Sequence, residues 1–244
     1  MIKIMRKFIV FLVLLLGSFT IEKAFVFAKE NTGVKSEVEI FYSENQDITP
    51  TYHPAIPKEP VEIISPMPVN PGTAGPLSVD FAPNIVFGEH KASDKDDIYY
   101  AKLTKVKKVV DGAENEVPNY LQITDNRGKK EGWRLTVRQN GQLSNRTHDL
   151  NGAEISIKNI TLISPNSSAK PIAANDIRLD PIKQEAAELS RSDEQTGKGT
   201  WIIMFGANNE ESKKSIQVNV PGTTEKQKGN YTTSLTWELI DSPI

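Results

Sequence analysis

The chain has 244 residues, of which 25 % are charged, 38 % hydrophobic and 7 % aromatic. That is enough for one domain with a real core, and it excludes collagen-like and coiled-coil chains. The formal net charge of −2 gives no global basic field for nucleic acid, and zero cysteines remove disulfides, thiolate metal sites, a cysteine nucleophile and a lipidated cysteine.

Residues 1–28 read as a secretory signal. Lys3, Arg6 and Lys7 make a basic start, and Phe8 to Leu16 is an unbroken apolar run. Val26-Phe-Ala28 presents modest residues to a signal peptidase, which places the cut after Ala28. Export without cysteine fits a bacterial surface better than a eukaryotic secreted domain. The sequons at Asn145, Asn159, Asn166 and Asn230 then carry no meaning for glycosylation.

Residues 29–76 read as a Pro-rich extended linker or stalk. Pro50, Pro54, Pro57, Pro60, Pro66, Pro68, Pro71 and Pro76 make up more than half of the 15 prolines. Their spacing forbids a helix and denies a central strand its ladder.

Residues 77–244 read as the folded domain, and period-two alternation dominates them. Leu77, Val79 and Phe81 share one face; so do Leu121 and Ile123, Trp133, Leu135 and Val137, Ile155 and Ile157, Ile216, Val218 and Val220, and Leu235, Trp237 and Leu239. This is the pattern of half-buried antiparallel strands. Trp201 to Phe205 is apolar on both faces, as a central strand is. Lys183 to Leu189, with Pro181 before it, predicts a short helix, and Ser190 to Lys198 a polar, mobile stretch. The expected fold is all-β: a single antiparallel β-sandwich or barrel-like domain with a short helical insert, preceded by the Pro-rich extended segment.

Chemistry is sparse. His53, His90 and His148 are dispersed without metal-ligand spacing and read as surface residues. Asp94, Asp96 and Asp97 begin like a calcium loop but lack the later glycine and glutamate, so they read as an acidic turn. Glu185 and Glu188 read as an exposed face rather than a glycosidase pair. No P-loop, GxSxG or GxGxxG occurs. No cofactor, metal or catalytic residue is expected, and the chain reads as no enzyme; a secreted carbohydrate-active enzyme ranks last among the readings. The basic clusters Lys102, Lys105, Lys107, Lys108 and Arg127, Lys129, Lys130 offer contact to anionic wall polymers or serve as plain solvated surface. Trp133 and Trp237 share strand faces with leucines, which favours the core; stacking on a sugar ring is the other reading.

Two of the strands carry Trp-x-Leu. One reads Gly132-Trp133-Arg134-Leu135; the other reads Tyr231-Thr-Thr-Ser-Leu235-Thr236-Trp237-Glu238-Leu239. With Phe81-Ala82-Pro83-Asn84, Leu150-Asn-Gly152-Ala153, Gly197-Lys-Gly199-Thr-Trp201 and Val218-Asn-Val220-Pro221, the chain over 77–244 resembles the WxL family of Gram-positive surface proteins. The resemblance marks Trp133, Leu135, Tyr231, Leu235, Thr236, Trp237 and Leu239 as binding or motif residues, with a structural role open for them. It implies a non-catalytic domain on the extracellular face of the cell wall, attached to peptidoglycan without a covalent link and associated with adhesion. It also implies partnership with other WxL proteins and a membrane-anchored WxL-interacting protein. The alternative is an assembly subunit that docks on that anchored protein and touches the wall only indirectly. No LPxTG-like sorting signal follows Trp237, so retention is expected to come from the fold or a partner.

Overall fold

The alternation written into the chain is realised as strands. A computed structural model describes residues 36–41, 46–128, 131–166 and 168–242. The signal sequence expected over 1–28 lies outside the described residues. Residues 1–42 form one unit and 43–244 a second; the described part of the first, 36–41, carries no strand or helix.

The second unit holds β1 (Tyr52–His53), β2 (Ile56–Ile64), β3 (Leu77–Phe81), β4 (Asp97–Tyr100), β5 (Thr104–Lys108), β6 (Glu114–Val117), β7 (Tyr120–Asp125) and β8 (Gly132–Gln139). It continues with β9 (Glu154–Ile157), β10 (Ile160–Ile163), β11 (Ile172–Ala173), β12 (Ile177–Leu179), β13 (Ala187–Arg191) and β14 (Gly199–Phe205). A one-turn helix, α1 (Asn209–Ser212), precedes β15 (Ile216–Val220) and β16 (Leu235–Ser242). Four antiparallel sheets result, ordered β1-β2-β5-β6, β10-β14-β7-β3, β11-β13-β8-β16 and β12-β9-β15-β4. The fold is all-β and consistent with a sandwich.

The β10-β14-β7-β3 sheet is covered on both faces. Leu121, Ile123, Trp201, Ile203 and Phe205 enter the main core with Trp133, Leu135, Ile155, Leu189 and Val218. Tyr120, Ile202 and Met204 point the other way, onto Val61, Val106 and Val117. This is why Trp201 to Phe205 reads as apolar on both faces: β14 is a central strand between two apolar clusters.

Three expectations are corrected. First, residues 52–64, placed in the stalk, form β1 and β2. Pro57 and Pro60 lie in the half of β2 that precedes its ladder to β5, which starts at Val61 opposite Lys108. A proline loses only its donor, and the Pro60 carbonyl still accepts from the Val109 N–H at 3.1 Å. Fully buried Gln122 draws the segment in: it donates to the Pro50 carbonyl and to Asp80, each at 2.9 Å, and accepts from the Tyr52 N–H at 2.8 Å. His53 is consequently buried rather than on the surface, and burial lowers its pKa.

Second, the helix expected over 183–189 is absent. Asp180 accepts from the N–H groups of Ile182 and Lys183 and starts a turn. Gln184 then takes a positive φ of 55°, and the chain becomes β13 from Ala187. Leu189 is wholly buried beside β8. Tertiary burial outweighs the helical propensity of two alanines. The helix sits at α1 instead, where Asn208 caps the Glu211 N–H at 3.0 Å.

Third, Phe81 does not share a face with Leu77 and Val79. The register shifts between Val79 and Phe81. The bulge turns Phe81 to the second cluster, against Tyr120 with ring centroids 4.9 Å apart.

Candidate functional site

The two Trp-x-Leu motifs lie on neighbouring strands. β8 is central in its sheet, between β13 and β16. Across the β8–β16 ladder Trp133 faces Asp241, Leu135 faces Leu239, and Val137 faces Trp237. The motifs run antiparallel, so their leucines meet and their tryptophans flank them at opposite ends. The side-chain period of two places all four on the inner face, and Arg134, Thr136 and Arg138 on the other.

Trp133 is 0 % exposed. Its indole N–H donates to the Gly197 carbonyl at 3.0 Å, and Trp201 donates to the next carbonyl, that of Lys198, at 3.1 Å. Two adjacent carbonyls therefore satisfy two buried indoles. The Trp133 backbone N–H donates to Ser192 Oγ at 2.9 Å, and its carbonyl accepts from the Ser192 N–H at 2.8 Å. The polar stretch Ser190 to Lys198 is thus anchored at both ends: Ser190, Ser192 and Gly197 are buried over Trp133, while Asp193, Glu194 and Gln195 face solvent. Gly197 has a φ of +73°, and a Cβ there would stand 2.8 Å from Trp133 Nε1. Only glycine brings the backbone that close.

The distal motif is half-buried. Trp237 stacks on Phe205 with centroids 6.1 Å apart and 19° between planes. Leu235, Leu239 and Tyr231 pack on the main core. Tyr231 Oη accepts from the Gln227 N–H at 3.0 Å. Thr236 points to the other face, where its Oγ1 accepts from Asn140 Nδ2 at 2.9 Å.

The model of the WxL domain, described as surface cell wall-binding, matches residues 29–243, nearly the whole chain. The chain belongs to the WxL family. It is a cell-surface, wall-binding protein by that membership. No curated protein and no solved structure matches it.

In this WxL domain the proximal tryptophan offers no exposed atom to a ligand. Its partner strand β16 is held by Arg127, which sequence reasoning placed in a basic surface patch. The side chain is buried: Nε and Nη2 grip Asp125 at 2.9 Å each, Nη2 donates to the Glu131 and Gly132 carbonyls at 3.1 Å, and Nη1 reaches Asp241 of β16. Hydrogen bonding to Asp125 raises the Arg127 pKa. The one sequence cue was Asp125-Asn126-Arg127-Gly128, a turn after a strand with opposite charges two residues apart. Lys129 and Lys130 lie outside the described residues.

In the other basic cluster, Lys105, Lys107 and Lys108 have acidic neighbours. Lys107 lies between Glu62 and Glu114, Lys105 faces Glu116, and Lys108 pairs with Glu59 at 3.1 Å. The face alternates in sign, which weakens any field it presents to a polyanion. Asp97 accepts from Ser93 and Tyr99, and Asp96 accepts from the Gly222 N–H. Asp96 thus fastens the turn before β4 to the loop after β15, while Asp97 braces that turn onto β4 itself. His90 stacks on Tyr99 with centroids 3.9 Å apart, and His148 lies 3.0 Å from Glu225.

Proposed function

We propose that this WxL protein is a non-catalytic module of the Gram-positive surface, attached to peptidoglycan without a covalent link and acting within a surface complex that serves adhesion. The observation that carries the reading is the match of a cell-wall-binding family over residues 29–243. The chemistry of the side chains supports it. The histidines and the acids near β4 engage structural partners, and Arg127 is committed to holding strands together. The test is sedimentation of the purified chain with sacculi stripped of protein and teichoic acid. Saturable binding is expected; a folded sample left in the supernatant overturns direct attachment.

One observation favours a second reading, docking on a membrane-anchored WxL-interacting protein or on other WxL proteins. β16 stands at the end of its sheet, laddered to β8 on one side, and carries the half-buried Leu235, Trp237, Leu239 and Ile240. A partner strand added there would gain both backbone hydrogen bonds and apolar contact. Loss of surface retention on deletion of the anchored partner, with no binding to bare sacculi, would select this reading.

A further inference from the structure

The motif strands turn their tryptophans inward, so contact with a wall polymer needs another surface. The outer face of the β12-β9-β15-β4 sheet has a distinctive composition. Ile155, Ile157, Ile177, Leu179, Ile216, Val218 and Val220 point from this sheet into the main core. The alternate residues form two rows in register on the outside. One row runs Tyr100, Gln217, Ser156, Arg178, with Ser156 buried between its larger neighbours; the other runs Ile98, Asn219, Glu154.

Tyr100 is 43 % exposed and Ile98 51 %. They stand two residues apart on the same face of β4 and together form an apolar step beside two amides of β15. The only formal charges in these rows, Glu154 and Arg178, lie 3.7 Å apart and compensate each other. Other outward faces differ. The β2-β5-β6 face alternates lysine and glutamate. The β13-β8-β16 face carries Glu188, Arg191, Arg134, Arg138 and Glu238. Those faces are charged surfaces; the two rows on the β4 face combine an aromatic plane, primary amides and no net charge.

We propose that this face is the surface on which the domain seats the uncharged, N-acetylated glycan strands of the wall. The proposal rests on the wall-binding reading and names its site. A pyranose has an apolar face that lies flat on an aromatic ring, and the Tyr100 ring supplies that plane with little conformational entropy to lose. Gln217 and Asn219 each offer a donor and an acceptor, which matches the hydroxyl and acetamido groups at a sugar's edge. Three interstrand spacings separate Tyr100 from Arg178, about 14 Å, so the row accommodates more than one ring of an extended chain. A neutral face also avoids desolvating unpaired charge against a partner that carries none along its backbone.

The test measures binding isotherms of the chain, purified as its host secretes it, on sacculi stripped of teichoic acid. Tyr100→Ala, Tyr100→Phe, Asn219→Ala and, on a different sheet, Lys105→Ala are compared with wild type, each checked for folding by thermal unfolding. Tyr100→Ala is expected to weaken binding by about tenfold or more. Tyr100→Phe keeps the ring and stays near wild type, Asn219→Ala falls between, and Lys105→Ala is unchanged. Saturable wild-type binding with Tyr100→Ala and Asn219→Ala both unaltered overturns this site but leaves wall attachment standing. No wild-type binding overturns wall attachment and the site with it. Binding only to sacculi that retain teichoic acid replaces the neutral glycan with an anionic polymer and also overturns the assignment.

Discussion

Leu135 stands directly opposite Leu239 on the β8–β16 ladder, so the two Trp-x-Leu motifs meet leucine to leucine. The proximal and distal motifs lie about a hundred residues apart in the chain but form one cross-strand unit. Trp133 closes one end beneath the Ser192–Lys198 segment, and Trp237 closes the other against Phe205. The motif is in this sense a staple between the last strand and the core.

The leucine pair should show energetic coupling. Leu135→Ala is expected to lower stability by about 2–5 kcal/mol, as for a fully buried aliphatic side chain. Half-buried Leu239→Ala should have the smaller effect. A double-mutant cycle in urea should return a coupling energy of about 0.5 kcal/mol or more. Simple additivity would refute the staple.

Gly197→Ala should destabilise strongly without touching any charge. The new Cβ would stand 2.5 Å from Ser192 Cβ and 2.8 Å from Trp133 Nε1, on a backbone with a φ of +73°. A loss of about 2 kcal/mol or more is expected. Thermal unfolding and tryptophan emission report it, the emission moving to longer wavelength as Trp133 gains water. A variant with wild-type Tm would show that the segment can move aside.

Arg127→Ala should release β16 before the rest of the domain. It leaves the Asp125 carboxylate, on a side chain only 5 % exposed, without its bidentate partner. A cost of about 3–5 kcal/mol is expected. Hydrogen exchange should rise first in residues 235–242. Uniform exchange across all strands would place Arg127's role elsewhere. Arg127→Lys should recover little, since an ammonium cannot reproduce the fork to Asp125.

Asp80 sets a pH dependence. Its carboxylate is buried and accepts from Ser78 Oγ, Gln122 Nε2 and Thr124 Oγ1, with burial raising its pKa above 3.8. A raised carboxyl pKa favours the protonated form in the folded state. Wild type should therefore be most stable relative to Asp80→Asn at pH 3.8 and below. That advantage should be lost as pH rises from 3.8 through the folded pKa. Urea midpoints of both proteins across this range measure it, and parallel curves would contradict the sign.

The sequence by itself determined the all-β class and the inner residues of β7, β8, β9, β14, β15 and β16. Period two requires nothing beyond the local chain, and Leu121, Ile155, Val218 and Trp133 all went where alternation sent them. The doubly apolar run at Trp201 to Phe205 likewise announced a strand buried on both faces. The paired Trp-x-Leu motifs gave the family, which the match over 29–243 bears out.

Only the tertiary structure decided the rest, because it depends on residues far apart in the chain. Gln122 recruits Pro50 and Tyr52 from some seventy residues away, so prolines that look like a stalk enter a sheet. Leu189 is buried in a strand because Glu188 and Ser190 on either side of it ladder to β8, which no local propensity encodes. Arg127 looks like a surface charge until Asp125 and Asp241 converge on it. The row that joins Tyr100 to Gln217 and Arg178 exists only in the register of four strands drawn from four parts of the chain.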